Sequence, residues 1–150
     1  MSEIHIRRAT AADVAPIVAM LADDHLGSGR ESPDDLAPYH RAFTRIDADP
    51  DQLLAVADDG GEMVGTLQLT FIPGLSRRGA TRALVEAVRV RADRRGGGLG
   101  GTLVKWAIDA ARQRDCVLVQ LTSDASRTAA HRFYLRLGFQ QSHLGFKLTL

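Results

Sequence analysis

The run RRGGGLGG at residues 94 to 101 restricts the possible folds of this chain more than any other stretch. Glycine reaches left-handed backbone conformations at no steric cost and allows close approach of another group. Such a run is therefore either a flexible linker or a loop shaped to hold something. The flanking residues decide between the two. RALVEAVRVRAD, just before it, reads as a long strand with Leu84, Glu86, Val88 and Val90 on one face. From Leu99 the period becomes helical, with Leu99, Leu103, Trp106, Ala107, Ala110 and Ala111 in one stripe and Lys105, Asp109 and Arg112 opposite. A strand and a helix abut the glycines directly, so they join two elements of one βαβ unit and do not link domains. Unpaired N–H groups at a helix start, together with the positive end of the helix dipole, form an anion site.

The rest of the chain supplies a mixed fold. EIHIRRAT reads as a first strand ending at Thr10, a helix N-cap, and Val14, Ile17, Val18 and Leu21 carry helical spacing after it. Ser32-Pro33 with Asp34 and Asp35 predicts a second helix running to about Ile46. LLAVAD and MVGTLQLTF, separated by DDGGE, predict an antiparallel hairpin. CVLVQLT reads as a short strand buried in a sheet, SRTAAHRFYLRLG as a helix stopped by Gly138, and LGFKLTL as a closing strand. The sheet is expected to be mixed and mostly antiparallel, flanked by helices in an α/β (α+β) arrangement, and residues 1–150 to form one domain.

Composition narrows the chemistry. The single cysteine, Cys116, makes no disulfide framework, and no cluster has metal-ligand spacing, so no metal is expected. No apolar run approaches the ~20 residues of a membrane span and the N-terminus has no signal core, which predicts a cytoplasmic protein without a membrane partner. Residues 23 to 62 hold eleven acids against three arginines, whereas residues 76 to 114 hold ten bases against three acids. Either these charges coat solvated faces, or an anion-binding half adjoins an acidic half suited to a cation. The basic half lacks interleaved aromatics, so no nucleic-acid partner is expected.

Three phosphate-binding readings fit glycines of this kind. A Walker A loop requires a lysine before Thr102, where Gly101 stands. The GxGxxG spacing of Gly96, Gly98 and Gly101 would suit an NAD-binding domain, but the hairpin-first order does not suit a doubly wound sheet. The third is more specific. Arg95-x-x-Gly98-x-Gly100 follows a long strand, and Phe133-Tyr134-x-x-x-Gly138-Phe139 comes roughly 35 residues later on a final helix. With these two motifs in that order of elements, nearly the whole chain resembles the GNAT superfamily of acyl-CoA-dependent N-acetyltransferases.

The resemblance implies a GNAT-type three-layer fold, acetyl-CoA as cosubstrate, an amine acceptor and a homodimer. It places the CoA pyrophosphate on Arg95, Gly96, Gly97, Gly98, Leu99, Gly100 and Gly101. It runs the pantetheine arm as an added strand along Val88, Arg89 and Val90, residues whose side chains also suit core packing. Tyr134 matches the acid that protonates the departing thiolate, or else simply anchors the last helix beside Phe133. Arg127 stands where relatives often carry asparagine; it could meet a CoA phosphate, or mark a non-catalytic acyl-CoA-binding module. Glu86 is the candidate base for the amine, its apolar strand face raising its pKa, with a cross-strand ion pair as the alternative. The acceptor, a primary amine of a small molecule or a peptide, is expected between the first two helices and the loop FIPGLSRRGATR; the acidity of these regions suits a cationic amine, whereas Arg77, Arg78 and Arg82 would suit an acceptor that also carries an anion.

Overall fold

A computed structural model describes residues 3–150 of the chain, which fall into two compact units, 3–120 and 121–150. In the larger unit five strands lie in sequence order: β1 (Ile4–Arg8), β2 (Gln52–Asp59), β3 (Glu62–Pro73), β4 (Thr81–Val90) and β5 (Leu118–Gln120). β1 to β4 are antiparallel neighbours, and β5 pairs in parallel with β4, which makes the sheet mixed as expected. The helices of this unit are α1 (Val14–Ala22), α2 (Ala37–Ala48), the single turn α3 (Ser76–Gly79) and α4 (Leu99–Gln113).

Strand register sorts the side chains onto two faces. Leu67, Leu69, Phe71, Ala83 and Val85 share one face and are buried, and α4 packs on β3 and β4 with Leu103, Val104 and Ala107 fully buried. Complete burial of a side chain such as Leu103 contributes roughly 1.5–3 kcal/mol. On the other face Val56 packs with Ala9 and Ile17, and Leu21, Phe43 and Leu54 lie against that cluster. The hairpin, the helical stripe of α4 and the strand-to-helix role of the glycines match the sequence pattern.

Three local expectations are corrected. The second helix starts at Ala37, not at Ser32-Pro33, because Asp35 accepts the Ala37 N–H in a turn and Pro38 takes the early helical position. β5 is half-buried, and Val117 beside it is 59% exposed, so this apolar run is not the buried strand expected. The single face proposed for Leu84, Glu86, Val88 and Val90 is broken by a bulge. Glu86 pairs with Gln68 but Arg89 pairs with Thr66, and Ala87 adopts φ 54°. One extra residue moves Val88 and Val90 to the opposite face from Glu86.

In the smaller unit, α5 (Thr128–Arg136) ends with Gly138 at φ 99°, the helix stop anticipated. In the turn before the helix, Asp124 accepts from the Ser126 N–H at 2.9 Å and from its hydroxyl at 2.6 Å. These bonds hold the Asp124 carboxyl below the usual range. The expected closing strand does not form. Leu144, Phe146 and Leu148 alternate as a strand would but stand 82–92% exposed, and no strand within this unit offers a pairing edge.

Candidate active site

The glycine loop begins where β4 ends. After a 3-10 turn at Ala92–Arg94, Gly96 and Gly98 take φ 85° and 84°, and Gly98 is the N-cap of α4. A side chain at either position would meet nothing within 4 Å, so backbone conformation and not crowding requires glycine there. The first intrahelical bond runs from the Thr102 N–H to the Gly98 carbonyl. The amides of Leu99, Gly100 and Gly101 therefore lack helical acceptors, and the first turn carries no acid to compete for them.

The arginines around the loop have different partners. Arg91 donates to Asp93 at 2.6 Å and to Glu62 at 3.4 Å, and Arg94 is paired with Asp59. Arg95, which is exposed, donates instead to the carbonyls of Val90 (3.2 Å) and Asp23 (3.3 Å). Carbonyl partners orient the guanidinium without cancelling its charge, so Arg95 offers a positive group at the loop entrance.

β4 and β5 pair only from Arg82 to Leu84 and from Leu118 to Gln120. Beyond Leu84 the edge of β4 facing β5 has no ladder partner, and this open stretch contains Val88, Arg89 and Val90. The structure thus places the expected pantetheine-pairing stretch and the glycine loop in one unit. Arg89 itself turns back: it pairs with Asp24 at 2.8 Å and donates to the Val88 carbonyl at 2.9 Å.

Glu86 is exposed on the face that carries Gln68, not among apolar neighbours as expected. Next to it, Ala87 lines a cavity of about 200 Å³ between α1, α2 and the sheet. The first two helices line this cavity, but no residue of the loop FIPGLSRRGATR does. The turn of that loop precedes β4, and the six residues of strand from Thr81 to Ala87, at ~3.3 Å each, put it roughly 20 Å from the bulge. Arg77 and Arg78 there are exposed with φ 53° and 61°. No contiguous sequence pattern marks the cavity, because α2 lines it without fully burying any residue.

Tyr134 and Arg127 belong to the smaller unit. Tyr134 is half-buried between Phe133, with ring centroids 5.1 Å apart at 64°, and Phe139, at 5.8 Å and 75°. Both are edge-to-face contacts, which fix the phenol ring. Arg127 is the N-cap residue of α5. Cys116 is half-buried, and burial pushes its thiol up, which disfavours a thiolate nucleophile. No group of three or more metal-ligating side chains gathers among the described residues.

The sequence matches the Acetyltransferase (GNAT) family over residues 17–139. The chain belongs to that family. An aminoalkylphosphonate N-acetyltransferase of Salmonella typhimurium is 30% identical over 150 residues, covering 100% of this chain and 94% of that one. A structure from Bacillus halodurans C-125, described as a transcriptional regulator, superposes with TM-score 0.95 at 46% identity over 99% of this chain and 100% of that one. A protein of Agrobacterium tumefaciens str. C58 whose structure carries an acetyltransferase assignment gives TM-score 0.88 at 27% identity, over 97% and 99% of the two chains. This GNAT protein is accordingly an acetyl-CoA-dependent N-acetyltransferase with an amine acceptor.

Proposed function

We propose that the chain works as one GNAT domain that transfers acetyl from acetyl-CoA directly to a small primary amine. The observation that carries the site assignment is the left-handed glycine loop opening α4 next to the unpaired edge of β4. In this reading the amides of residues 96–101 and the Arg95 guanidinium hold the pyrophosphate, and the backbone of Val88 to Val90 holds the pantetheine arm. Arg127 serves as a further phosphate contact.

Glu86 takes a proton from the ammonium, directly or through water, and frees the nitrogen lone pair. The nitrogen then attacks the thioester carbonyl carbon, the C–N bond forms, the nitrogen releases its second proton to solvent, and the C–S bond breaks. Tyr134 gives its proton to the departing sulfur and recovers one from solvent, leaving a neutral amide and a free thiol. No covalent enzyme intermediate is needed, in keeping with the disfavoured thiolate of Cys116. Support for Glu86 comes from its solvent access beside the cavity, where an ammonium can reach it and its proton can leave.

Thiol release from acetyl-CoA across an amine panel tests the reading. Tyr134→Phe is expected to lower kcat by about 10²-fold or more with little change in the KM for acetyl-CoA. Glu86→Gln is expected to lose activity mainly at neutral pH and to recover part of it at alkaline pH, where the amine deprotonates unaided. Unchanged turnover in either variant removes that residue from the mechanism, and CoA binding without turnover on any amine would favour a sensing module.

The protein is further proposed to be cytoplasmic and to form a homodimer. No helix among the described residues is long and apolar enough to cross a membrane. The exposed apolar positions Leu144, Phe146 and Leu148 favour self-association. Sedimentation should give twice the chain mass; a monomer at working concentration rejects the dimer.

A further inference from the structure

α2 is amphipathic yet leaves no residue fully buried. Its apolar positions Tyr39, Ala42, Phe43 and Ile46 face a cavity of about 200 Å³ whose other walls include Ile17 and Leu21 of α1 and Leu54 of β2. The cavity is smaller than the ~300–1,000 Å³ typical of drug-sized ligands, so it suits a compact occupant. Ala87, the bulged residue of β4, closes one end, where Gln68 and Thr66 also contribute.

The polar groups in the lining are few and mostly engaged. The Thr66 hydroxyl donates to the Ala55 carbonyl at 2.8 Å. The Tyr39 hydroxyl accepts from the Ser32 N–H at 2.8 Å and donates to Glu31 at 3.1 Å, which turns its ring toward the cavity. Gln68 uses its side-chain amide to donate to Gln52 at 2.8 Å, leaving its side-chain oxygen available to an N–H of a ligand.

None of the lining residues carries charge. Arg89 shares the sheet face of Gln68 but is held by Asp24 at 2.8 Å, with the two side chains 12% and 17% exposed. An anionic group against these walls would be partly desolvated and would meet no counter-charge, which is unfavourable. A hydrocarbon body meets matching walls. An ammonium at the Gln68 end would find an amide oxygen, with the Glu86 carboxylate on the same face.

We propose that this cavity selects a small primary amine with an apolar body, of arylalkyl or short alkyl type, and rejects amines bearing a phosphonate or phosphate. The proposal rests on the acetyltransferase reading for its chemistry, but the binding preference is testable without turnover. The acceptor thus differs in class from the one that the name of the Salmonella relative implies for that protein.

The experiment is calorimetric titration of the full chain with 2-phenylethylamine and with 2-aminoethylphosphonate, alongside thiol-release assays with both. Phenylethylamine is expected to bind at least tenfold more tightly and to give the higher kcat/KM. Ala42→Trp, at an exposed helix position, should fill the cavity and weaken phenylethylamine at least tenfold, with acetyl-CoA binding unchanged. Ala42→Arg should shift the preference toward the phosphonate. A wild-type preference for 2-aminoethylphosphonate overturns the proposal, as does phenylethylamine binding unchanged by Ala42→Trp. If the binding pattern holds but neither amine nor any other is acetylated, the cavity assignment stands and the acetyl-transfer reading falls.

Discussion

Asp13 accepts four hydrogen bonds: from two Arg7 guanidinium nitrogens at 2.7 and 3.1 Å, from the Thr10 N–H at 2.7 Å and from the Thr10 hydroxyl at 3.2 Å. The residue is 6% exposed and ties the end of β1 to the start of α1, while Arg7 also reaches Asp58 of β2. Its carboxyl is held below the usual range, first by the Arg7 hydrogen bonds and against the opposing effect of burial. A depressed folded pKa gives stabilisation that is complete above the unfolded value of about 3.9 and is lost as pH falls through the folded value. Asp13→Asn is expected to cost about 2–3 kcal/mol at pH 7, toward the low end for a buried pair because Arg7 keeps partial solvent access. Urea unfolding should show the gap between wild type and variant narrowing as the buffer is acidified below the unfolded value of about 3.9. An equal gap at both pH values would mean that the charge of Asp13 contributes nothing.

Among the elements, the glycine loop separates positions that need glycine from those that tolerate a side chain. Gly98 holds φ 84°, where an added Cβ strains the backbone by about 1–2 kcal/mol. Gly97 has no positive φ, and a Cβ there would come no closer than 3.8 Å to the Arg94 carbonyl. Gly98→Ala should therefore lower stability by that amount and weaken CoA at least tenfold, whereas Gly97→Ala should leave both nearly unchanged. Chemical denaturation and CoA titration of the two variants check this, and equal behaviour would refute the loop geometry. The loop was legible in the sequence because a strand period stops on one side and a helix period starts on the other. The bulge at Ala87 was not legible. It is a property of pairing, two residues of β4 against Leu67 of β3, and VEAVRV alternates the same way with or without it. The cavity escaped for a related reason, since its walls come from five elements, α1, α2, β2, β3 and β4, spread along the chain. The last strand failed in the opposite direction. Leu144, Phe146 and Leu148 carry a strand's alternation, but alternation does not supply the neighbouring edge a strand needs.

At the scale of the whole molecule, the family match from residue 17 to residue 139 runs through both compact units. In the single-domain reading proposed above, the whole chain folds and melts as one unit. Ligand that binds only the folded state then stabilises the whole chain, by about 2.7 kcal/mol at a concentration of 100 Kd. For a protein of this size each kcal/mol raises Tm by about 2–4 °C, so saturating CoA should move a single melting transition upward by about 5–10 °C. NAD at the same concentration should leave it in place, because the sheet of the described residues does not have the doubly wound strand order that positions a dinucleotide. Calorimetry distinguishes the alternatives. Two transitions of which CoA moves only one would show the units melting independently and reject the single-domain reading, and a shift with NAD but not with CoA would reject the cofactor assignment itself.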